Sequence, residues 1–298
     1  MAKPTVRIAP NNPVFDLPVL VGIEEGLFDT AGLDVSLSGR YEDRERDRID
    51  RLVLSRLKEA QFEGGTADSY NVCEWASIDR IERGTRGGSI AALRAAVAAQ
   101  AILTFDETLQ TPRDLADVPV CVQELTGSHY TTLQMLEGAL GREHVKIEAG
   151  GLPQQRWQGL ADGTYRAVAV MEPFISLGLK RGAHIVSAEF YRGGEVIAPH
   201  LTAAQRQAYY DAENAAVDRI NADFYRYAHH VAAATKGALA PNELLRAFVR
   251  YKHVDYYDAA LFDRTYAWMK SWGFTVGASE HGMLVVDRPA AAQPNAAS

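Results

Sequence analysis

Residues 118–140, VPVCVQELTGSHYTTLQMLEGAL, join a strand pattern to a helix pattern through a loop of small residues. The apolar run at 118–122 leads to Gly127-Ser128-His129-Tyr130, and leucines at helical spacing follow. Such a loop leaves backbone N–H groups unpaired where the helix begins. Together with the helix dipole, these donors can hold a carboxylate, sulfonate, sulfinate or phosphate. In the alternative interpretation, Ser128 is only the N-cap of the helix.

The composition is that of an ordinary folded chain. Of 298 residues, 47% are hydrophobic and 23% are charged, as in globular proteins generally. This length predicts two domains, because single cores stop growing near about 250 residues. The net charge of −7 does not support a nucleic acid or an anionic membrane as partner. An anionic ligand would therefore need a local positive potential.

The N-terminus predicts a cytoplasmic location. Met1-Ala2-Lys3-Pro4 leads directly into a strand pattern, without an apolar export segment or a cleavage site. No stretch approaches the ~18 apolar residues that span a bilayer, so no membrane insertion is expected. A periplasmic or cell-surface location applies instead if an export signal has been removed. The two cysteines do not indicate a disulfide framework.

Strand and helix patterns alternate over the first two thirds of the chain. The predicted strands lie at 6–9, 34–37, 99–105, 118–122, 145–148, 167–170 and 185–187. The predicted helices lie at 19–29, 47–58, 130–140, 153–161 and 174–181. This alternation predicts parallel sheets covered on both faces. After about residue 200 the pattern is helical, with Thr202 as an N-cap and helices at 203–221, 223–234, 242–251 and 258–272. The tail at 289–298 is predicted to be disordered.

Short motifs occur in a set order along residues 5 to 190. They are VRIAPNN at 6–12, PVLVGIEEGLF at 18–28, AGLDV at 31–35, TPRDL at 111–115, GLADG at 159–163 and AVAVMEP at 167–173. With the loop at 127–130, this order resembles the type II periplasmic-binding-protein-like family. The branch that it resembles holds nitrate, sulfonate and taurine receptors and thiamine-pyrimidine proteins, and includes cytosolic desulfinase- and decarboxylase-like enzymes.

The resemblance implies an α/β protein with two lobes, an inter-lobe cleft and a helical C-terminal part. The chain is expected to cross between lobes near 96–99 and 190–197. Lobe one then holds 1–97 and 196–288, and lobe two holds 98–195. The ligand is expected in the cleft at the carboxyl ends of strands, with hinge closure around it.

Four segments are expected to line this cleft. Their candidate substrate-binding residues are Asn11, Asn12 and Phe15 after strand one, Gly64, Gly65, Thr66 and Tyr70 in a Gly-rich segment, Gly127, Ser128 and Tyr130 in the anion loop, and Glu172. The asparagines offer amide donors and acceptors, and the glycines allow a close approach of the backbone. Alternatively, the asparagines form a turn before Pro13, and the double glycine is a turn without a ligand.

Cys73 and His129 are the candidate catalytic residues. Cys73 could act as a nucleophile with His129 as its base, since an imidazole beside a helix N-terminus is expected to be neutral. The alternative is that Cys73 is a buried thiol.

The sequence predicts neither a metal site nor a cofactor. His229 and His230 are adjacent, so on a helix they should point about 100° apart. The other histidines lack ligand spacing, and no phosphate loop or dinucleotide fingerprint occurs. The mixed charges at 40–51 are typical of a solvated loop and helix face.

Two classes of function follow from the resemblance. One is a cytosolic enzyme that acts on a small (hetero)aromatic acid by lyase (desulfinase- or decarboxylase-like) or hydrolase chemistry, which the lack of an export signal favours. The other is a substrate-binding protein that delivers a small organic anion to an ABC permease. Desulfinases of this family carry a cysteine in the loop after strand one, where this chain has Asn11-Asn12-Pro13. The cysteine cluster of the pyrimidine synthases is also absent from this sequence.

Overall fold

A mixed β-sheet runs through the protein. The computed structural model describes residues 2–47 and 52–286. The strands are β1 (Thr5–Ile8), β2 (Asp34–Leu37), β3 (Ser69–Cys73), β4 (Ser89–Thr104), β5 (Pro119–Val122), β6 (Lys146–Ala149), β7 (Ala167–Val170), β8 (His184–Ile197) and β9 (Val249–Tyr251). Their order in the sheet is β2-β1-β3-β8-β4-β7-β5-β6, and β9 pairs with β4.

Helices of 4 to 20 residues surround this sheet. They are α1 (Pro13–Glu24), α2 (Leu27–Thr30), α3 (Leu57–Glu63), α4 (Glu74–Arg83), α5 (Gly127–Glu137), α6 (Pro153–Ala161), α7 (Phe174–Lys180), α8 (Ala203–Ala222), α9 (Phe224–Ala232), α10 (Ala259–Ser271) and α11 (His281–Leu284). Within residues 2–47 and 52–286, none of the helices combines the length and the apolar character that a bilayer crossing requires.

β4 and β8 are long strands that belong to both halves of the sheet. They pair antiparallel from Ser89 opposite Ile197 to Thr104 opposite His184. In the strand order, β1, β2 and β3 lie on one side of this pair, and β5, β6 and β7 lie on the other. The Ala-rich sequence of β4 suits this position, because small apolar side chains can be buried on both faces of a strand. The result is the expected two-lobed α/β fold.

Apolar side chains pack on each half of the sheet and hold its loops in place. One core cluster joins α1, α4 and α10 through residues such as Leu17, Ile78 and Phe262. Another joins β5 to α5 through Val120 and Leu136. Two separate hydrophobic cores therefore hold the loops that follow β1 and β5 in place.

Several sequence predictions are confirmed and others are wrong. The strands at 34–37 and 167–170, the helix at 153–161 and the cap at Thr202 are as predicted. The sheet is mixed, not parallel, since β3, β4, β7, β8 and β9 form antiparallel pairs. β3 was not predicted, because Ser69 and Asn71 interrupt its apolar pattern.

The predicted helix at 242–251 is also wrong. Short 3₁₀ turns and β9 occupy this segment, and β9 pairs with β4. The predicted helix at 47–58 is wrong over most of its described residues, since Val53–Ser55 is a 3₁₀ turn and α3 begins only at Leu57. Residues 48–51 and the tail at 289–298 lie outside the described residues. The lobe limits of 1–97 with 196–288 and of 98–195 stay a prediction.

Replacement of Gly193 by alanine should destabilise the β3–β8 pair. A Cβ at this position would lie 2.0 Å from the carbonyl oxygen of Val72, which is backbone and cannot move aside. We expect Gly193→Ala to lower the free energy of unfolding in urea by about 1–3 kcal/mol, as overpacking does. Gly138→Ala is the control, since nothing lies within 4 Å of its Cβ position. Equal urea midpoints for the two variants would contradict this packing.

Candidate functional site

A cavity of about 50 Å³ is lined by residues from both halves of the fold. The loop after β1 contributes Asn11 and Asn12, and the first half of β4 contributes Arg94. The start of α5 contributes Gly127 and Ser128. We call this space the inner cavity. It lies where the sequence motifs at 6–12 and 127–130 approach each other.

Buried cations dominate the wall of the inner cavity. The cationic residues that line it are Arg44, Arg56, Lys58, Arg80, Arg94 and Arg156, and each has a relative exposure of 9% or less. Among the described residues that line this cavity, Glu59 is the only acidic one. The surroundings of the cavity are therefore strongly positive, although the whole chain is negative.

Asn11 connects two of these cations to the loop after β1. Its side-chain oxygen accepts hydrogen bonds from Lys58 Nζ at 3.2 Å and from Arg44 Nη1 at 3.2 Å. Its amide nitrogen donates to Asn71 Oδ1 in β3 at 2.8 Å. Its backbone N–H donates to Asp16 Oδ2 at 2.8 Å. These contacts fix the geometry of the loop and hold both cationic groups at the cavity.

Arg94 has a guanidinium that the protein satisfies only in part. Nε donates to Ala96 O at 3.1 Å, and Nη1 lies 3.4 Å from Asn71 Oδ1. The group stacks on the ring of Phe15, with 3.8 Å between Cζ and the ring centroid. Nη2 is buried and has no hydrogen-bond partner among residues 2–47 and 52–286. A buried donor without a hydrogen-bond partner lowers the stability of the folded protein by about 1–3 kcal/mol, unless a ligand supplies an acceptor.

Burial also lowers the proton affinity of cations at the cavity. It lowers the pKa of Lys58 to about 8 and the pKa of Arg156 to about 10. The guanidinium of Arg156 donates to the neutral carbonyl oxygens of Ala169 and Gly151. Both shifts show that charge at this cavity lacks the solvation that water would give.

The N-terminus of α5 adds backbone donors to the wall. Thr126 is the N-cap of α5, and its carbonyl accepts hydrogen bonds from the amides of His129 and Tyr130. The amides of Gly127 and Ser128 make no hydrogen bond to the described residues. A Cβ at Gly127 would lie 2.7 Å from the hydroxyl of Tyr191, so a larger residue here would require the Tyr191 ring to shift. A helix start with free amides favours an anion.

A larger cavity of about 300 Å³ adjoins the inner one, and we call it the outer cavity. Both are lined by Asn11, Asn12, Arg44 and Pro153. The outer cavity also has the apolar side chain of Leu20 on its wall. Its volume is at the lower end of that of small-molecule sites. The pair of cavities offers a cationic end and a less polar end.

The structure brings six of the predicted site residues to the inner cavity. They are Asn11, Asn12, Phe15, Cys73, Gly127 and Ser128. Burial raises the pKa of the Cys73 thiol to about 11, although the nearby Arg80, Lys58 and Arg94 oppose this shift. Cys73 is therefore a neutral thiol at pH 7, and a neutral thiol is a poor nucleophile.

Other predicted residues are not part of the wall. His129 is buried beside Phe274, at 5.2 Å between ring centroids, and its Nδ1 accepts from the amide of Leu125. Tyr130 packs against Trp75 and Phe274. Neither ring lines the inner cavity, and the role of His129 as a base for Cys73 stays a prediction.

The remaining candidates also lie elsewhere. Glu172 accepts two hydrogen bonds from Ser176 at the start of α7, and burial raises its pKa to about 7. Gly64, Gly65 and Thr66 form the turn after α3. Tyr70 is buried in β3, where its ring faces Lys58 Nζ at 5.6 Å. Tyr70 therefore contacts Lys58, which lines the inner cavity, but Tyr70 does not line the cavity itself.

The cations that line the inner cavity were not predicted from the sequence. Arg44 lies in the mixed-charge segment that was interpreted as solvated, and this interpretation is wrong for Arg44, which is 9% exposed. Arg94 carried a usable signal, because it is the single charge within the apolar strand sequence of β4. Arg156 lies in a polar helix segment and carried no comparable signal.

The histidine pair at the end of α9 differs from its prediction. The rings of His229 and His230 lie 4.1 Å apart at 35° between planes, so they do not diverge as the helical spacing suggested. Ligand atoms of Glu24, His229 and His230 all lie within 4.8 Å of one another. The spacing argument against a shared metal ion therefore fails for this pair.

The fold is similar to that of solved periplasmic-binding proteins. SsuA, an alkanesulfonate-binding protein from Xanthomonas axonopodis pv. citri bound to MOPS, has a TM-score of 0.69 at 15% identity, over 91% of this chain and 93% of its own. The zinc-bound ligand-binding component of an ABC-type import system from Staphylococcus aureus has a TM-score of 0.72 at 12% identity, over 95% and 97%.

An enzyme has the same fold. The desulfurization enzyme DSZB has a TM-score of 0.59 at 16% identity, over 90% of this chain and 92% of its own. At such identities the likeness establishes the fold, and the fold expected from the sequence motifs is confirmed. No protein-family profile matches the chain, and no curated protein matches it in sequence.

Proposed function

We propose that this protein binds a small organic anion, with the anionic group in the inner cavity. The observation that carries this proposal is the buried Nη2 of Arg94, which lacks a partner in the described chain and lies among further buried cations. An anionic oxygen is the partner that a guanidinium takes best. The free amides of Gly127 and Ser128 offer two more donors to the same group.

The two adjoining cavities suggest how such a ligand would lie. The anionic group would contact Arg94 and the start of α5, while the body of the ligand would extend past Asn12 into the outer cavity. The inner cavity of about 50 Å³ leaves room for little more than a carboxylate or sulfonate. The outer cavity, at about 300 Å³, could accept a short aliphatic or single-ring body.

The names of the similar structures agree with this ligand class. SsuA is described as an alkanesulfonate-binding protein, and a form of DSZB is described in complex with biphenyl-2-sulfinic acid. We therefore place sulfonates, sulfinates and carboxylates first among the anions to test. The cytoplasmic location, and an ABC permease as partner of an exported form, stay predictions.

Removal of the Arg94 guanidinium should weaken anion binding. Small sulfonates, sulfinates and carboxylates would first be screened by thermal shift, since a ligand of the folded state raises the melting temperature. For the best anion, we expect Arg94→Met to raise the Kd about tenfold or more in calorimetry, because a charged hydrogen bond is lost. Arg166→Met, which removes an exposed ion pair with Asp106, is the control. Equal affinity of the two variants would rule out Arg94 as the anion's partner.

Lys58 should make anion binding depend on pH. Its pKa of about 8 in the free protein means that it loses its proton as the pH rises through 8. A bound anion stabilises the ammonium, so binding above this pH takes up a proton and the affinity falls by up to about tenfold per pH unit. We expect this fall for a sulfonate measured by calorimetry between about pH 6.5 and about pH 9.5.

Lys58→Met is the matched variant for the pH series. It should bind more weakly than the wild type near neutral pH, because one cation is missing. Its affinity should change little through pH 8, since the titrating ammonium is gone. An unchanged slope in Lys58→Met would assign the pH dependence to another group.

Lyase or hydrolase chemistry on the bound anion is a second candidate, because Cys73 lines the inner cavity. If this candidate holds, wild type incubated with the anion should release a product detectable by mass spectrometry. Cys73→Ser should then keep binding and lose turnover. If the wild type returns the anion unchanged after prolonged incubation, the protein is a binding protein for that anion.

A further inference from the structure

Glu24, His229 and His230 bring their metal-ligating atoms together where two helices end. Glu24 is the last residue of α1, and the two histidines lie in the last turn of α9. The candidate ligand atoms all lie within 4.8 Å of one another. We propose that these three side chains bind a divalent first-row transition metal ion, for which Zn²⁺ is the probe.

The hydrogen bond of His229 prepares its ring for a metal. Nδ1 lies 3.1 Å from the carbonyl oxygen of Arg226, and a carbonyl can only accept. The proton is therefore on Nδ1, and Nε2 presents a lone pair. A ligating histidine is commonly oriented in this way, by donating its other N–H to a backbone carbonyl.

His230 and Glu24 supply the other two ligand atoms. His230 Nε2 lies 2.7 Å from Glu24 Oε2, so a metal ion would replace the proton that these atoms share. Zinc bonds to nitrogen and oxygen are about 2.0–2.2 Å long. Small rotations of these partly exposed side chains would bring all three atoms to that distance.

The helix dipoles at the cluster favour a cation. The C-terminal ends of α1 and α9, which carry the negative dipole ends, both lie here. The nearby Arg226 pairs with Glu25, at 2.6 Å between Nη2 and Oε1, and Glu25 also pairs with Arg219 at 3.5 Å. Lys236, which also lines the outer cavity, pairs with Glu45 at 3.3 Å. Glu24 itself has no lysine or arginine partner within the described ranges.

The three side chains leave a coordination position open. Two histidines and one carboxylate are a known zinc donor set that keeps a fourth position for water or a ligand. His229 and His230 line the outer cavity, so an exchangeable ligand of the metal would enter from there. None of the three metal ligands lines the inner cavity, so zinc binding can be measured without an organic anion.

The test is a zinc titration of the full chain, freed of metal with a chelator and kept free of organic anions. We expect the wild type to bind one Zn²⁺ per chain in calorimetry. His229→Ala and His230→Ala should each lower the affinity at least about tenfold, since each removes a ligand. His253→Ala is the matched control, because His253 is an exposed histidine that pairs with Asp218 at 2.8 Å.

Glu24→Gln tests the third ligand separately. It can keep a hydrogen bond to His230 but removes the negative charge, so zinc affinity should also fall about tenfold. The site is refuted if the wild type binds no zinc, or if His229→Ala or His230→Ala binds as tightly as His253→Ala. Unchanged affinity in Glu24→Gln would overturn the assignment of Glu24 as a ligand. Circular dichroism of each variant checks that a loss of zinc binding is not a loss of folding.

Discussion

The antiparallel pairing of β4 with β8 is the constraint on which the architecture depends. Each strand is hydrogen-bonded to the other across the middle of the sheet, so neither half can be displaced without bending this pair. β3 pairs with one end of β8, and β7 pairs with one end of β4. The loops after β1 and β5 are thereby brought to opposite sides of one space, although their sequences lie about a hundred residues apart. The inner cavity results from this pairing.

The buried cations at this cavity lower the stability of the free protein. Each charge taken from water loses several kcal/mol of solvation unless partners replace it. Arg80 is compensated by Glu59 and Asp79, whereas Arg156 contacts neutral carbonyls and Arg94 stacks on aromatic rings. Such incomplete compensation is typical of ligand-binding sites, because a bound ligand can replace the solvation that the buried cations lost on folding.

The fold was largely predictable from the sequence, and the cationic wall of the site was not. The strand–loop–helix unit at 118–140 is a local pattern, so Gly127 and Ser128 could be placed at a helix start before the structure was known. Lys58 reaches Asn11 from 47 residues away, and no local pattern encodes such a contact. β3 was missed for a related reason. Its Asn71 is buried because Asn11 and Asp16 satisfy its amide, which only the folded chain can do.

The electrostatics of the cavity disfavour ionisation of Cys73. Cations beside Cys73 oppose the effect of burial, yet the pKa of the thiol is still about 11. A thiolate and a ligand anion would draw on the same positive potential, so an anion that enters the cavity disfavours ionisation of Cys73 further. A thiol nucleophile at this place would need a base to remove its proton. Nδ1 of His129 cannot serve as this base, because it already accepts a hydrogen bond from the amide of Leu125, and the ring packs against Phe274.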